Sequence, residues 1–369
     1  MRPWLLVSGD FVTTGGQDRA NHALARALLA RGDEVHLVAH RVAPDLRAAG
    51  AVVHEVSKPG GSYFLGEPLL DRSGRRWARR LGGARVVVNG GGCAVPGAIN
   101  WVHYVHRAYA PPAAGLKARL QRGRALRRER EAIGAARLVI ANSRRTRRDL
   151  ITLLGTPPER VEVVYLGVDP QRFRPADAEE RRSARAALGW DPERQGAAFV
   201  GGLADRRKGF DVVFRAWSRL GARAPLELAV LGEGPLRARW EERARAAGLR
   251  GMRFLGKRGD VEQVLRASDL LVAPTRYEPY GLAVHEALCC GLPALVSRGA
   301  GVAERYPRAL SGLLLDDPRS ASELVRRLEP ALALRESQRA ELDALGARLR
   351  ARSWEQVAED LIETIEARA

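Results

Sequence analysis

The sequence predicts an α/β protein made of two domains, each with a doubly wound parallel sheet. Short apolar runs, the first at 4–7, alternate with longer segments of helical periodicity, a pattern typical of parallel strands buried under helices. The alternation stops over 167–177, where Pro and Gly punctuate the chain, and then starts again. At 369 residues and 46% hydrophobic content, the chain can bury two cores.

The first half opens with a strand, a Gly-containing loop and a helix. After the strand at 4–7, the loop contains Gly15 and Gly16, and the helix that follows ends near Gly32. A strand at 34–39 completes a βαβ unit, and ligands of such sheets bind beyond the carboxyl ends of the strands. The remaining strands of this half are predicted at 51–56, 85–89, 100–105, 137–142 and 161–165.

The second half begins with a highly charged helix after 177 and then repeats the alternation of strands and helices. Its strands are predicted at 197–201, 226–232, 253–256, 269–273, 293–296 and 312–316. At the end of the chain, Trp354, Val357, Leu361 and Ile365 lie on one face of a predicted helix, which suits packing against another element.

The formal net charge of +18 is compatible with a nucleic-acid partner, but only four of the 61 basic residues are lysines. Such a skew is typical of GC-rich codon usage, and we expect no nucleic-acid partner. Residues 117–148 hold twelve basic residues against two glutamates. Two interpretations of this segment stay open: a basic amphipathic helix that binds an anionic membrane, or a solvated face. The apolar positions of the first interpretation are Leu116, Leu120, Leu126 and Ile133.

Cysteine usage and apolar runs predict the compartment. Cys93, Cys289 and Cys290 are too few and too poorly spaced for a disulfide framework or a zinc site, so a reducing cytoplasm fits. No apolar run approaches the roughly 18 residues of a spanning helix, and the apolar start is too short for a signal peptide. We expect a cytoplasmic protein, with the inner membrane face as a further location.

A segment at 273–287 sets Glu278 and Glu286 around a Gly turn that precedes a predicted helix at 283–288. Gly281 and Leu282 then lie at a helix N-terminus, which attracts phosphate. A carboxylate accepts hydrogen bonds only, so it pairs naturally with the two donors of a sugar diol. Taken alone, the two glutamates are explained equally well by a solvated loop.

Seven segments together resemble retaining glycosyltransferases of family 4, which have the GT-B fold. The matching segments lie, in order, at 13–16, 102–106, 141–143, 166–175, 200–210, 231–235 and 278–287, and they cover nearly the whole chain. The resemblance implies two Rossmann-like domains facing a cleft. It assigns 1–167 plus 354–369, with a C-terminal crossover helix, to an acceptor domain, and 168–353 to a nucleotide-sugar donor domain.

The resemblance also implies site residues. The catalytic residues would be His106, Glu278 and Lys208, with Lys208 also binding the donor phosphates. Glu286 would hold the ribose and Glu278 the transferred sugar, while His103 is a candidate on the acceptor side. The other implied donor-binding residues are Gly15, Gly16, Glu233, Lys257, Arg258, Thr275, Tyr280, Gly281 and Leu282.

One position departs from the family pattern. The family usually has Arg directly after the Gly that ends the first strand of the second domain, whereas this chain has Gly202. Arg206 or Arg207, in the same loop as Lys208, would be the substitute for this phosphate contact. Because the chain is rich in arginine, a solvated role for either one is equally open.

The activity implied is that of a retaining hexosyltransferase. A sugar would move from a nucleotide sugar, such as a UDP- or GDP-sugar, to a hydroxyl of a glycan, lipid-linked or small-molecule acceptor. No Asp/Glu nucleophile stands out, and no Asp-x-Asp motif follows a strand, so we expect neither a double displacement nor a required metal. The alternatives are a sugar-nucleotide epimerase or a non-catalytic sugar-nucleotide binder of the same fold, and, less favoured, a basic nucleic-acid-binding protein.

Overall fold

The structure, a computed structural model, describes residues 2–111, 115–191, 193–204, 206–221 and 226–368. Contacts divide the chain into two compact units, Met1–Gly167 with Trp354–Ala369, and Val168–Ser353. Among the described residues, no helix combines the length and the apolar character needed to cross a bilayer.

The first unit is built on a parallel sheet, with helices formed by the longer amphipathic segments. Its strands are β1 (Trp4–Val7), β2 (Asp10–Phe11), β3 (Val35–Ala39), β4 (Arg41–Val42), β5 (Val52–Glu55), β6 (Arg85–Val88), β7 (Ile99–Val102), β8 (Leu138–Ala141) and β9 (Val161–Val163). Its helices are α1 (Gly16–Ala30), α2 (Pro44–Ala48), α3 (Tyr63–Arg80), α4 (Gly115–Ala135), α5 (Arg144–Leu154) and, from the end of the chain, α13 (Trp354–Glu366).

The strand order of this sheet places β1 at its turning point. Over the described part of the first unit, seven strands pair in the order β5-β3-β1-β6-β7-β8-β9, all in parallel. β1 and β7 are buried along their whole length, as expected for strands covered on both faces. The chain runs outward from β1 through β3 to β5 and then returns to β6 on the other side of β1, and a crevice forms beyond the carboxyl ends of strands at such a reversal.

Helix α13 belongs to the first unit, although it lies at the far end of the sequence. Its buried face carries Trp354, Val357, Leu361 and Ile365, and the helix packs against α1. Arg31, just after α1, donates to Glu366 at 2.8 Å, which adds an ion pair at the end of the packed helices.

The second unit repeats the same architecture. Its strands are β10 (Gln195–Val200), β11 (Leu226–Leu231), β12 (Met252–Gly256), β13 (Leu270–Ala273), β14 (Ala294–Ser297) and β15 (Leu314–Leu315). Its helices are α6 (Ala178–Ala187), α7 (Phe210–Leu220), α8 (Arg237–Ala246), α9 (Val261–Ala267), α10 (Leu282–Cys289), α11 (Ala321–Leu332) and α12 (Glu336–Arg350). Within the described part of this unit, six parallel strands pair in the order β12-β11-β10-β13-β14-β15. The turning point lies between β10 and β13.

These observations confirm the predicted fold class. Each predicted strand segment contains a strand of one of the two parallel sheets, and the predicted helix at 283–288 is α10. The short pair formed by β2 and β4 was not expected from the sequence. It forms because the chain stays extended for two residues after β1 and again after β3, two neighbouring strands of the sheet.

The basic segment at 117–148 is not one amphipathic helix. It runs through α4, the buried strand β8 and the start of α5. Its apolar residues do not share a face, because Ile133 is buried whereas Leu116 and Leu120 are exposed. Some of its arginines have internal partners: Arg145 pairs with Asp149 at 3.0 Å.

Candidate active site

Two loops of the second unit bring a lysine and a glutamate together. The loop after β10 carries Lys208, and the loop after the neighbouring strand β13 carries Glu278. The Lys208 ammonium donates a hydrogen bond to Oε2 of Glu278, and these side chains are 23% and 13% exposed. Both therefore remain within reach of a ligand. Asp205, which belongs to the 200–210 motif, lies outside the described residues.

Glycine at position 209 lets the two loops approach each other. Gly209 has φ of +78°, and a Cβ there would lie 1.9 Å from the carbonyl oxygen of Pro274. Next to this contact, the main-chain N–H of Arg276 and the hydroxyl of Thr275 both donate to the carbonyl of Arg207, at 2.8 and 3.1 Å. The loop after β10 is therefore fixed to the loop after β13 by backbone contacts.

The arginines of these loops have different surroundings. Arg276 forms a two-point ion pair with Asp211, at 2.7 and 2.8 Å; although burial opposes it, these bonds lower the pKa of Asp211. Nη1 of Arg207 lies 3.7 Å from Oε2 of Glu278, the oxygen that Lys208 also contacts. Arg206 is exposed. Of the two candidates to compensate for Gly202, the structure places Arg207 beside Lys208 and Glu278.

The N-terminus of α10 follows directly on the loop that carries Glu278. Gly281 caps the helix with φ of +116°, and a Cβ there would lie 2.9 Å from a methyl carbon of Val302. Leu282 is the first helical residue, so its N–H has no carbonyl of the preceding turn to pair with. Glu286 lies in the second turn and is half-buried. Lys208 and Glu278 thus lie in the loops after two neighbouring strands, and the N-terminus of α10, with Glu286 in its second turn, follows the second of these loops.

Two of the side chains predicted to line the diphosphate are buried and hydrogen-bonded within the protein. The Thr275 hydroxyl donates to the carbonyls of Arg207 and Tyr277, at 3.1 and 3.0 Å, and the residue is buried. Tyr280 is also buried, and its hydroxyl lies 2.5 Å from Nδ1 of His285, whose pKa burial lowers to about 3. Both side chains shape the loop from inside, because their polar groups are already paired within the protein.

The residues predicted to flank the nucleoside form a local network. Oε1 of Glu233 accepts the main-chain N–H of Lys257 at 3.2 Å and also pairs with Arg237. Arg258 pairs with Asp260, two residues further on. Lys257 is exposed. The structure therefore brings Glu233 and Lys257 together and directs Arg258 toward its own loop.

The first unit holds a cavity of about 430 Å³ beyond the carboxyl ends of β1, β6 and β7. This is the edge of the sheet where the βαβ pattern predicts a ligand. Gly15 and Gly16 lie directly before Gln17 and Asp18, which line the cavity. Gly15 has φ of +93°, and Gly16 starts α1. The cavity is lined by Val7, Ser8, Gly9, Asp10, Gln17, Asp18, His40, Tyr63, Glu67, Leu70, Asn89, Gly90, Gly91, Gly92, His103, Tyr104, His106, Ala125 and Arg128.

Both predicted histidines line this cavity. Burial lowers the pKa of His103 to about 3, and its Nε2 has no hydrogen-bond partner among the described residues. Burial, and then the charge of Arg122, lower the pKa of His106. Both rings are therefore neutral at pH 7, and each offers an uncharged hydrogen-bonding nitrogen to a ligand.

Three carboxylates at or next to this cavity were missed at the sequence level. Asp10 is the first residue of β2, three positions after the end of β1, and although burial opposes it, hydrogen bonds from Arg41 and Tyr63 lower its pKa. Asp18, in the first turn of α1, lines the cavity. Glu129 of α4 accepts the main-chain N–H groups of His106 and Arg107, at 2.6 and 3.2 Å, while its burial raises its pKa. One available signal was a carboxylate within three residues of the end of a predicted strand, which identifies Asp10.

Comparison with known proteins covers both units. A family model described as Glycosyltransferase Family 4 matches residues 14–172, and one described as Glycosyl transferases group 1 matches residues 194–333. A D-inositol 3-phosphate glycosyltransferase of Rhodococcus opacus is 32% identical over 251 residues, which are 64% of this chain and 54% of that protein. A second protein of that name, from Catenulispora acidiphila, is 34% identical over 219 residues, 54% of this chain and 50% of that protein. The chain thus spans about half the length of these relatives.

Solved structures share the whole fold. WaaG, a glycosyltransferase involved in lipopolysaccharide biosynthesis, aligns with a TM-score of 0.79 and 21% identity, over 98% of this chain and 99% of its own. Sucrose-phosphate synthase from Thermosynechococcus elongatus aligns over 100% of both chains, with a TM-score of 0.77 and 21% identity. Anabaena HepE in complex with UDP-glucose gives 0.76 and 17% identity, over 99% of both chains. With matching models on both units and this shared fold, the chain belongs to glycosyltransferase family 4, the group 1 glycosyltransferases, and has the GT-B fold.

Proposed function

We propose that the protein is a retaining glycosyltransferase that moves a hexose from a nucleotide sugar to an acceptor hydroxyl. One observation carries the proposal: Lys208 contacts Glu278, Arg207 lies 3.7 Å from the same carboxylate, and the loop that carries Glu278 leads into the N-terminus of α10. Cations and a helix N-terminus suit a diphosphate, and a carboxylate suits sugar hydroxyls. A nucleotide sugar carries both groups in one molecule.

The proposed roles follow from this chemistry. Lys208 and Arg207 bind the diphosphate, and the N–H groups of Gly281 and Leu282 support it. Glu278 accepts from hydroxyls of the transferred sugar, and Glu286 from the ribose. The charge that develops on the leaving diphosphate is greatest in the transition state, so fixed cations lower the barrier.

The transfer step needs no covalent enzyme intermediate. The acceptor oxygen forms a bond to the anomeric carbon on the face that the diphosphate leaves. The bond from that carbon to the diphosphate oxygen breaks, and its electron pair leaves with the nucleoside diphosphate. The acceptor proton passes to an oxygen of the departing phosphate. The configuration at the anomeric carbon is retained, and we propose that no metal ion is required.

The relatives support the two substrate classes. The name D-inositol 3-phosphate glycosyltransferase describes transfer to a polyol derivative, and the HepE structure contains UDP-glucose. We therefore propose a nucleoside-diphosphate hexose as donor and a polyhydroxylated molecule, free or within a glycan or lipid, as acceptor. The second unit binds the donor, and the cavity of the first unit binds the acceptor.

The experiment is a thermal-shift panel of ADP, GDP and UDP and their glucose derivatives, followed by product analysis. We expect stabilisation by one nucleoside diphosphate and its sugar, loss of that stabilisation in Glu286→Ala, and a product with the donor's anomeric configuration. No stabilisation of the wild type, or an inverted product, would contradict the proposal. Donor conversion without any acceptor would identify the epimerase instead, and binding without turnover would identify a non-catalytic binder.

A surface of the first unit supports the proposed location at the inner membrane face. Leu116 and Leu120, on one side of α4, are 72% and 66% exposed, although burial of such side chains is favourable by about 1.5–3 kcal/mol. Arg124 continues this side of α4 and lies over the ring of Phe64 on α3, 4.7 Å from its centroid. Leu65, next to Phe64, is also exposed.

Exposed cations surround these apolar side chains. Lys117, Arg119 and Arg127 are all exposed on α4. Apolar side chains that enter the lipid boundary, with cations at the headgroup level, are typical of interfacial helices, and each cation adds about 1 kcal/mol near an anionic surface. We propose that this apolar and basic surface, rather than the whole segment at 117–148, holds the protein on anionic lipid.

Vesicle sedimentation tests this location. We expect binding to vesicles with phosphatidylserine that weakens at high salt, and about tenfold weaker binding for Leu116→Ser/Leu120→Ser. A matched control is Leu153→Ser on α5, which removes one exposed leucine elsewhere and leaves binding unchanged. Equal binding by the double variant, or no binding by the wild type at low salt, would rule out this surface.

A further inference from the structure

The cavity of the first unit presents hydrogen-bond acceptors that the protein itself does not use. Asp10 is 2% exposed, and its Oδ2 accepts from Arg41 and Tyr63. Its Oδ1 is buried and has no partner among the described residues. Burial of an acceptor without a donor is unfavourable, so a ligand that supplies an O–H or N–H group to Oδ1 is favoured in this cavity.

Asp18 adds a second acceptor group to the same cavity. It lies in the first turn of α1, and within the described part of the chain its carboxylate forms no hydrogen bond or ion pair. Burial, and then the charge of Asp10, raise the pKa of Asp18 to about 6, so the group is mostly ionised at pH 7.5. An ionised carboxylate accepts hydrogen bonds and donates none.

The residues that line the cavity carry more negative than positive charge, although two cations act on them from outside the lining. Asp10, Asp18 and Glu67 are the carboxylates, and Arg128 is the one guanidinium among the described lining residues. Arg41 pairs with Asp10, while burial and then the charge of Asp10 raise the pKa of Asp18 by more than the charges of Arg41 and Lys58 lower it. The guanidinium of Arg128 already donates to the main-chain carbonyls of Gly91 and Gly92, at 3.2 and 2.8 Å. The rings of His103 and His106 are neutral, so they add no charge to the lining.

We infer that this cavity accepts an uncharged polyhydroxylated acceptor and discriminates against its phosphate monoesters, with Asp18 as the residue that sets the discrimination. The inference rests on the proposed function, since it names the acceptor class of that activity. Hydroxyl groups supply the donors that Asp10 Oδ1 and the Asp18 carboxylate lack. A phosphate group supplies further acceptors and is itself negatively charged. Its charge and that of the Asp18 carboxylate repel strongly in a partly desolvated cavity.

The acceptor class proposed for this chain differs from the one that the name of its relatives describes. Their name, D-inositol 3-phosphate glycosyltransferase, describes a phosphorylated polyol. If this chain used a phosphorylated polyol, the phosphate would lie in a cavity lined by Asp10, Asp18 and Glu67. The acceptor groups of Asp10 and Asp18 that lack a donor instead favour the unphosphorylated form of such an acceptor.

Matched acceptor pairs test the inference. The wild type is assayed for nucleoside diphosphate release with myo-inositol against D-inositol 3-phosphate, and with glucose against glucose 6-phosphate. We expect at least about tenfold higher kcat/KM for the neutral member of a pair. In Asp18→Asn, we expect KM for the neutral member to rise about fivefold and the discrimination to fall below about threefold.

Controls separate a specific role from loss of folding. Glu55→Gln removes an exposed carboxylate of the same unit that pairs with Arg47, and it leaves both members of each pair unchanged. Because a carboxylate in the first turn also stabilises a helix, the Tm of each variant is measured. If Asp18→Asn does not fold, Asp18→Ser takes its place.

The outcomes distinguish this inference from the proposed function. A wild type that binds no nucleotide sugar contradicts the proposed function itself. A wild type that binds and hydrolyses the donor, but prefers the phosphorylated acceptors or responds to no neutral one, overturns only the acceptor class. If Asp18→Asn discriminates between the acceptors as the wild type does, the role of Asp18 is overturned. Arg128→Met then tests whether the guanidinium of Arg128 contacts the phosphate.

Discussion

The two ligand-binding regions have the same position in their sheets and opposite chemistry. Each lies beyond the carboxyl ends of parallel strands at a turning point, next to β1 and β6 in the first unit and next to β10 and β13 in the second. The first presents unpaired acceptors, with Asp10 and Asp18, and the second presents the cations Lys208 and Arg207 beside Glu278. The shared architecture therefore gives both candidate sites the same place in their sheets, and the loop residues give them different chemistry.

The largest expected effect comes from removing the lysine of the second region. Lys208→Met should lower kcat/KM by about 10²–10³-fold, because it removes a fixed cation from the position where leaving-group charge develops. Steady-state kinetics with the sugar nucleotide measures this effect. Lys117→Met, which removes an exposed lysine of the first unit, is the matched control and should change kcat/KM by less than about twofold. An equal effect of both variants would remove the contrast between the regions.

The next effect tests the close approach that positions Lys208. Gly209→Ala should lower the free energy of unfolding by about 3 kcal/mol, because φ is +78° and the new Cβ would lie 1.9 Å from the Pro274 carbonyl oxygen. Urea unfolding measures this change. Gly248→Ala also has positive φ, +66°, but its Cβ meets nothing within 4 Å, so it should cost only about 1 kcal/mol. Equal costs would show that the loops do not depend on this contact.

A smaller effect distinguishes Arg206 from Arg207, the two candidates to supply the phosphate contact that the family has at the position of Gly202. Arg207→Gln should weaken nucleoside diphosphate binding about tenfold, which is 1.4 kcal/mol, because its guanidinium lies beside the Lys208 and Glu278 pair. Arg206→Gln should change binding less than about twofold, since Arg206 is exposed. Titration calorimetry measures both. The reverse order would exchange their roles.

The smallest effect is a pH dependence confined to the first region. Asp18 accepts hydrogen bonds from the hydroxyls of the acceptor more strongly when it is ionised, and its pKa is raised to about 6, so KM for a neutral acceptor should rise severalfold as pH falls from 7.5 to 5.5. The rise should be absent in Asp18→Asn. The charged or titratable groups that face Asp18 or line its cavity are Asp10, His40, Arg41, Lys58, Tyr63, Glu67, His103, Tyr104, His106 and Arg128.

The same carboxylate makes folding less favourable as pH rises. The folded pKa of Asp18 lies above the unfolded value of 3.8, so the folded state binds more protons between these values. The contribution of Asp18 to the free energy of unfolding therefore falls between pH 3.8 and about 6 and is constant above that range. Because the side chain is partly exposed, solvent reduces the size of this change. For catalysis, a wild-type KM for a neutral acceptor that does not vary between pH 7.5 and 5.5 would contradict the role assigned to Asp18.

Sequence periodicity predicted the sheets and the start of α10, because buried parallel strands are short apolar runs and helices begin after Gly. The family resemblance placed Lys208 and Glu278 in one site. Sequence could not show that the Thr275 hydroxyl is occupied, because its partner is the carbonyl of Arg207, which lies far away in the chain. Asp18 was missed for the same reason: its cavity exists only because β1 pairs with β6, and that pairing is set by tertiary packing.

The central claim is that the cationic loop of the second unit is the diphosphate site and that the acidic cavity of the first unit is not. Titration calorimetry with ADP, GDP and UDP on the wild type, Lys208→Met and Asp18→Asn tests it most directly. For the diphosphate that the wild type binds most tightly, Lys208→Met should weaken binding about a hundredfold, and Asp18→Asn should change it less than about twofold. Wild-type affinity in Lys208→Met, or an equal loss in Asp18→Asn, would contradict the account.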